Sequence, residues 1–328
     1  MSTLFSHFDE KINQISPLDE NFTEVLNTIA LMPKTLYYYG KIPQKMSKNG
    51  KNIRPKTVAI VGSRHNTRYG EEIAYHLAFT LAKYGVVIIS GLAYGIDSIA
   101  HRGCLDAGGI TVAVLGTPIN QIYPKPHISL AYQIIKQNGA IVSEYPPNNA
   151  DPINIPLAPG EYINNYNQRA VDHKTSFLYR NRIISGLSDI VIVVEAAEQS
   201  GSLNTATHAI EQGKEVFAVP GNITNPYSRG CNKLIAQGAY PYTSPDDILS
   251  LLFPEDYYKK QKRLKKNHLI GDTDVETNIL QSIASGNSTS EEIMEDSMIP
   301  PEVFNQNITL LEIKGRIRAI GMNSWTIL

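Results

Sequence analysis

The sequence predicts an α/β protein, a parallel sheet covered on both faces, followed by a small C-terminal winged-helix domain. Three observations carry this. Short Val- and Ile-rich runs alternate with helix-period segments from about Thr57 to Leu252. Those runs are apolar at both alternating sets of positions, as strands buried on both faces are. The last 55 residues then change pattern, to three short helices and a hairpin, the order of a helix-turn-helix variant.

Taken in order, residues 1–50 read as a helical or irregular segment ending in the lysine- and glycine-bearing stretch Lys45 to Lys51. Strands are expected at Thr57–Val61, Val86–Ser90, Thr111–Leu115, Ala140–Ser143, Ile190–Glu195 and Glu215–Val219, and helices at Glu71–Lys83, Gly95–Leu105, Ile128–Gln137 and Leu203–Gln212. The alternation defines a sheet domain over 51–255. A linker at 256–273 contains KKQKRLKK at 259–266, six basic residues in eight. The tail, 274–328, offers helices at Glu276–Ala284, Ser290–Asp296 and Pro301–Lys314 and a hairpin over Ile317–Ile327. Ser288 or Ser290 can cap its second helix, and Pro300-Pro301 can open the third.

Composition narrows the function classes. With 30 basic and 31 acidic side chains among 328 residues, the formal net charge is −1, which excludes a blanket polycation but not a local basic groove. Cys104 and Cys231 are the only cysteines, too few for a disulfide framework or a cysteine-based zinc site. No apolar run of 18 residues and no leader pattern is visible, so no membrane span is expected and the expected compartment is the cytoplasm. No H-E-x-x-H or G-x-S-x-G motif occurs, and the eight histidines are scattered.

The chemistry gathers at the turns that follow strands. The first strand runs into Gly62-Ser63-Arg64-His65, a small-residue turn before a helix, where backbone N–H groups can face an anion and Arg64 adds a fork suited to phosphate. The turn fits neither G-x-G-x-x-G nor the Walker pattern, so no nicotinamide or nucleotide triphosphate cofactor is expected. The second strand ends in Ser90, Gly91, Leu92, Ala93, Tyr94 and Gly95, with Asp97 in the first turn of the next helix, where it stabilises the helix N terminus. A third turn, Ser200-Gly201-Ser202, opens another helix. In an open parallel sheet such turns gather on one edge, where ligands bind. Lys174, Phe177, Arg180, Asn181 and Arg182 then interleave cations with an aromatic ring. A single-stranded nucleic acid needs that mixture, charges for phosphates and ring faces for unstacked bases. An amphipathic helix with Phe177 in the core fits the same stretch.

Gly62-Ser63-Arg64, Ser90 to Asp97, Tyr123-Pro124, Ser143 to Pro147, Arg180 to Ser188, Ser200 to Leu203, and Pro220-Gly221 followed by Ser228 to Ile235 occur in one order. In that order they resemble the DprA/Smf DNA-processing family. The resemblance implies an extended Rossmann-like domain that binds single-stranded DNA without a nucleotide cofactor. It also implies protection of incoming DNA in natural transformation, loading of the recombinase RecA, and homodimerisation. By matching position the DNA contacts are Gly62, Ser63, Arg64, the Ser90–Gly95 turn and Arg180 to Arg182, with Lys174 and Phe177 as a basic-plus-aromatic pair. The sequence departs from the pattern in a longer stretch from Asn148 to Lys174, in Leu178 where a proline is usual, and in Gly116-Thr117-Pro118 after the third strand.

The rival class is a nucleotide-processing hydrolase of the phosphoribohydrolase-like group, which has a similar sheet. Its G-G-x-G-T-x-x-E turn would fall at Ser200 to His208, and no carboxylate stands there. In the tail, eight acidic residues face Lys314, Arg316 and Arg318, a net of −5, and Pro301 to Ile313 contains no Lys or Arg. That charge suits protein contact, or covering of the basic linker, better than reading duplex DNA.

Overall fold

A computed structural model of the chain describes residues 11–19, 22–44, 46–48, 51–148, 155–158, 161–163, 173–254 and 269–327. They fall into two compact units, 1–248 and 249–328. In chain order the first contains β1 (Asn13–Ile15), a 3-10 helix (Phe22–Thr28), β2 (Leu36–Gly40), β3 (Met46–Lys48), β4 (Lys51–Ile53) and β5 (Thr57–Val61). Then follow α1 (Arg68–Lys83), β6 (Val87–Ser90), α2 (Ile96–Asp106), β7 (Thr111–Leu115), α3 (Ile128–Lys136) and β8 (Ala140–Ser143). After β9 (Ile155–Ala158) and β10 (Glu161–Ile163) come α4 (His173–Gly186), β11 (Ile190–Val193), α5 (Gly201–Glu211), β12 (Glu215–Ala218), α6 (Arg229–Ala236) and β13 (Tyr240–Pro241), with α7 (Pro245–Leu252) at the junction.

Nine strands form one sheet in the order β1-β2-β8-β7-β6-β5-β11-β12-β13. From β8 to β13 every neighbouring pair is parallel, and β1 and β2 close the other edge antiparallel. The first half of the sequence therefore winds outward from β5 through β6 and β7 to β8. The chain then returns through α4 to place β11 on the other side of β5. The order reverses between β5 and β11, which makes their carboxyl ends the switch point where such sheets hold ligands.

β5, β6, β7, β8 and β11 are buried at every position, as expected of strands with helices on both faces. One face, through Ala59, Val61, Val87, Val112, Val191 and Val193, packs on Leu26, Ile183, Ile184, Leu187, Ala206 and Ala209. The opposite face, through Ala113, Leu115 and Ile141, packs on Leu105, Leu130, Ile134 and Ile135.

The sheet takes in more of the N terminus than a helical or irregular 1–50 segment allows. Tyr37, Tyr38, Tyr39 and Gly40 pair with Ser143, Val142, Ile141 and Ala140, and Leu36, Tyr37 and Tyr39 are buried. These strands are three and five residues long, too short for periodicity to mark them. The insertion expected from Asn148 to Lys174 contains one antiparallel pair, β9 with β10. Residues 149–154, 159–160 and 164–172, and the basic run at 259–266, lie outside the described residues.

The second unit contains α8 (Asp274–Ser285), α9 (Ser290–Ser297), α10 (Pro301–Ile313), β14 (Ile317–Gly321) and β15 (Ser324–Ile327). The hairpin packs through Ile317 on a core of Ile279, Leu280, Ile293, Phe304, Ile308 and Leu311, with Trp325 edge-on to Phe304 at 6.0 Å. Neither Ser288 nor Ser290 caps α9. Thr289 does, in a reciprocal box with Glu292: its hydroxyl accepts from Glu292 N–H, and the Glu292 carboxylate accepts from Thr289 N–H, so the pair satisfies two free N–H groups. Lys314, beyond α10, donates to Asp272 and Glu276 at 2.7 Å each.

Candidate functional site

The three small-residue turns meet where the topology requires, over the carboxyl ends of β5 and β11. They line a cleft of about 540 Å³ together with Asp97, Tyr123, Phe177, Arg180 and Tyr227.

The turn after β5 is held from below. Ser63 N–H donates to the Glu195 carbonyl at 2.7 Å, and Ile96 N–H to the Ser63 carbonyl at 3.2 Å. Gly95 sits at φ +74°, and its α-carbon lies so close to the Ser63 carbonyl that any Cβ would collide with it; the turn needs glycine there on both counts. Gly62 is half-buried and Ser63 is buried, while Arg64 is exposed. The Arg64 guanidinium carbon lies 5.5 Å from the Phe177 ring centroid, a cation–π distance that holds the charge over the cleft.

Two carboxylates occupy the anion-seeking N–H groups of these turns. Glu195, 1% exposed, accepts from Thr67 N–H at 2.8 Å and from Thr67 Oγ1 at 2.6 Å. Thr67 is the N-cap of α1. Asp97, 5% exposed, accepts from Gly91 N–H at 3.0 Å and from Ala93 N–H. Burial pushes the Asp97 carboxyl above its ordinary range, against the pull of Arg180, those two N–H groups and Arg64. Asp97 thus shapes the turn as well as starting the helix. By contrast α5 opens with a neutral cap, Ser200 Oγ accepting from Ser202 N–H at 3.3 Å.

The cations expected from the sequence divide. Arg180 is 5% exposed, and its Nη1 donates to the Gly91 carbonyl at 3.0 Å and to the Val114 carbonyl. Desolvation pulls its pKa down to about 10, opposed by Asp97, so it stays charged and serves as a buried tie between β7 and the second turn. Arg182, expected as a DNA contact, is paired inside the domain. Its Nη2 donates to both carboxylate oxygens of Glu144 at 2.7 Å, and its guanidinium lies 4.0 Å from the Tyr179 ring centroid. At 2% exposure it cannot meet a phosphate without leaving the core. Asn181, 7% exposed, donates to the Gly201 carbonyl and to Asn204 Oδ1 at 3.2 Å each, fixing the start of α5. Ser90 is likewise internal, donating to the Ile60 carbonyl at 2.7 Å. Gly91 is buried, whereas Ala93 and Gly95 are half-buried. Gly201 is exposed and Ser202 is 8% exposed. Lys174 falls in the first turn of α4, and its side chain lies outside the described residues.

Phe177 is half-buried. Its ring is packed by the Tyr123 ring at 5.3 Å, the Arg180 guanidinium at 5.9 Å, and the backbone of Gly116. A Cβ on Gly116 would lie 2.5 Å from Phe177 Cδ1, so that glycine admits the ring. Tyr123 and Tyr94, 42% and 43% exposed, stand in the Tyr-Pro motif and the Ser90–Gly95 turn, where the sequence assigned neither ring a role of its own. The signal available was an aromatic residue in each strand-end loop.

Other candidates are structural. His101 is fully buried, and burial holds its pKa down at about 3; Cys104 and Cys231 are buried thiols pushed up to about 12. His208 contacts Glu211 on the outside of α5 at 3.3 Å. Among the described residues, no group of three His, Cys, Asp or Glu side chains could hold a metal, and no helix is long and apolar enough to cross a membrane.

The family model described as DNA recombination-mediator protein A matches residues 13–253. Protein Smf of Escherichia coli is 47% identical over 195 residues, 60% of this chain, and the matched stretch spans 46% of that relative's length. DNA processing protein DprA of Bacillus subtilis is 37% identical over 249 residues, 76% of this chain and 74% of its own. The solved structure of DNA processing protein A from Helicobacter pylori, described for its single-stranded DNA binding mode, is 30% identical with a TM-score of 0.58, covering 76% of this chain and 98% of that one.

Proposed function

The chain belongs to the DNA recombination-mediator protein A family, and we propose that it binds single-stranded DNA, independent of sequence, across the cleft at the carboxyl ends of β5 and β11. The observation that carries the reading is the exposed Arg64 guanidinium, 5.5 Å from Phe177 beside the exposed Tyr123. A fixed charge for the phosphate thus stands against a wall of rings for unstacked bases. Asp97 is the carboxylate among the described residues lining the cleft, and it is bonded inward, so those residues offer no exposed acid for base release, and binding is favoured over nucleotide hydrolysis. The H. pylori relative's single-strand binding mode supports the same ligand class.

The finer parts of the proposal rest on family membership. They are protection of incoming DNA during transformation, hand-over of the strand to RecA, and a homodimer formed through the Rossmann-like domain. The second unit is proposed as a winged helix. The described residues 269–327 hold nine acidic and three basic side chains, which suits contact with protein better than with duplex DNA.

The test is competitive gel shift with single- and double-stranded DNA of equal length, for the wild type and Arg64→Ala over a range of salt. Each phosphate neutralised on a single strand contributes roughly −0.7 to the slope of log K against log salt. Arg64→Ala should therefore weaken binding and flatten the slope by about that amount. A salt-insensitive wild type, or equal preference for duplex, overturns the reading.

A further inference from the structure

We propose that Tyr123, with Tyr94 beside it, is a base-stacking shelf that extends the bound strand past Arg64; the inference rests on the single-strand reading above.

Phe177 is the aromatic that the sequence pattern selects, but its ring is already engaged. Two guanidinium groups lie 5.5 and 5.9 Å from its centroid, the Tyr123 ring lies 5.3 Å away at a tilt of 31°, and Gly116 closes in from the backbone side. What Phe177 does is back Tyr123, whose ring is 42% exposed. Tyr94 is built the same way. Its ring meets the His127 ring at 5.0 Å, edge to face. His127 is in turn locked, 6% exposed, with Nδ1 2.7 Å from the Leu92 carbonyl; a carbonyl only accepts, so Nδ1 carries the proton. Both tyrosines line one recess with Arg64, Ala93 and Phe177.

Scattered exposed aromatics need no explanation. Here two exposed rings share a recess, each is held by a ring behind it, and the exposed cation of the cleft stands beside them. Rings fixed in advance lose little side-chain freedom on binding, and a stacking face accepts any base. Lys125, exposed and two residues beyond Tyr123, supplies a further cation on the same loop. The strand thus meets charge at Arg64 and ring faces at Tyr123 and Tyr94, which divides the cleft into a phosphate half and a base half.

The experiment uses the full chain and short oligo-dT carrying a single 2-aminopurine, whose fluorescence is quenched by stacking. The wild type should quench the probe when it occupies the shelf. Tyr123→Ala should relieve that quenching and weaken binding about 5- to 150-fold, the range for loss of one stacked base. Tyr123→Phe should keep both, which separates stacking from hydroxyl bonding and shows that the fold tolerates the position. Arg64→Ala, measured at saturating protein, should keep the quenching while its salt slope flattens. If the wild type binds oligo-dT but Tyr123→Ala leaves affinity and quenching unchanged, the shelf is wrong and the single-strand reading stands. Loss in Tyr123→Phe equal to that in Tyr123→Ala also overturns it. If the wild type does not bind oligo-dT, both fall.

Discussion

Arg182 separates what the sequence pattern suggests from what the fold allows, and replacing it should cost stability rather than DNA affinity. Its side chain and that of Glu144 are 3% and 7% exposed, and both Glu144 oxygens accept from Arg182 Nη2. Arg182→Met keeps the length of the side chain and removes the charge, which leaves a buried carboxylate without its counter-ion. Breaking one side of such a pair costs about 3–5 kcal/mol, a large part of the 5–15 kcal/mol typical of a folded domain. Burial already pushes the Glu144 carboxyl above its ordinary range, with Arg182 pulling it back, so losing Arg182 raises it further. A carboxyl with a raised native pKa contributes most below its unfolded pKa and loses that contribution as pH rises through the native value. The variant should therefore be least impaired near pH 5 and most impaired near pH 8. Urea unfolding at both pH values measures this. Adding Glu144→Gln should recover much of the loss, because the charge left stranded is removed as well. At pH 5, where the variant is folded, its salt slope for oligo-dT should match the wild type. A variant as stable as the wild type at pH 8, but with weaker binding and a flatter slope, would show that Arg182 leaves the core to meet phosphate and would refute the reasoning.

Two further outcomes follow from buried polar groups. Thr111 Oγ1 donates to the Ile88 carbonyl at 2.7 Å, so His101 Nδ1, 2.7 Å from that oxygen, is the protonated nitrogen, and Nε2 is buried without a partner. With the native pKa held down at about 3 against an ordinary 6.5, the contribution is present above pH 6.5 and is lost as pH falls toward 3. Unfolding at pH 4.5 should therefore be easier by about 3 kcal/mol from this residue, and His101→Asn, which keeps a donor for Thr111, should flatten that dependence; an unchanged pH profile would sink the assignment. Glu195→Ala should destabilise by about 2–3 kcal/mol through the lost charge-assisted bonds to Thr67, and Glu195→Gln by less, as thermal unfolding would measure. Equal melting of the alanine variant and the wild type would remove Glu195 as the tie between β11 and α1.

The parts of the fold that were legible are those written in local pattern. The strands from Thr57 to Val219 are apolar on both alternating sets, and the helices between them keep a 3.6-residue period, so type and order could be read directly. Which strands lie side by side is not local. Nothing near residue 60 indicates that β11, 130 residues later, pairs with β5, yet that pairing creates the cleft. The same limit hid the partners of the charges. Glu144 and Arg182 belong to two motifs quoted separately, and only the fold brings them within 2.7 Å. Read alone, Arg180-Asn181-Arg182 looks like two forks waiting for phosphate; in the fold both guanidinium groups turn inward and Asn181 braces α5. Tyr123 was visible as half of a Tyr-Pro pair, but its value as a ring face depends on Phe177, 54 residues away, standing behind it.

The way the turns use their backbone donors argues against a dinucleotide site in this sheet. In the dinucleotide-binding arrangement the N terminus of the first helix, after the first strand, receives the pyrophosphate. Here the Thr67 N–H at the start of α1 is taken by Glu195, and the N–H groups of Gly91 and Ala93 are taken by Asp97. A phosphate pressed against these N–H groups would find a carboxyl group already bonded to them. Among the described residues lining the cleft, Arg64 is exposed, and α5 opens on a neutral hydroxyl cap. Among the described residues, the exposed guanidinium of Arg64 beside the rings of Phe177 and Tyr123 offers a phosphate and a base separate places to bind. Spaced charges with stackable rings are what a single strand presents, and the proposed site matches it in kind.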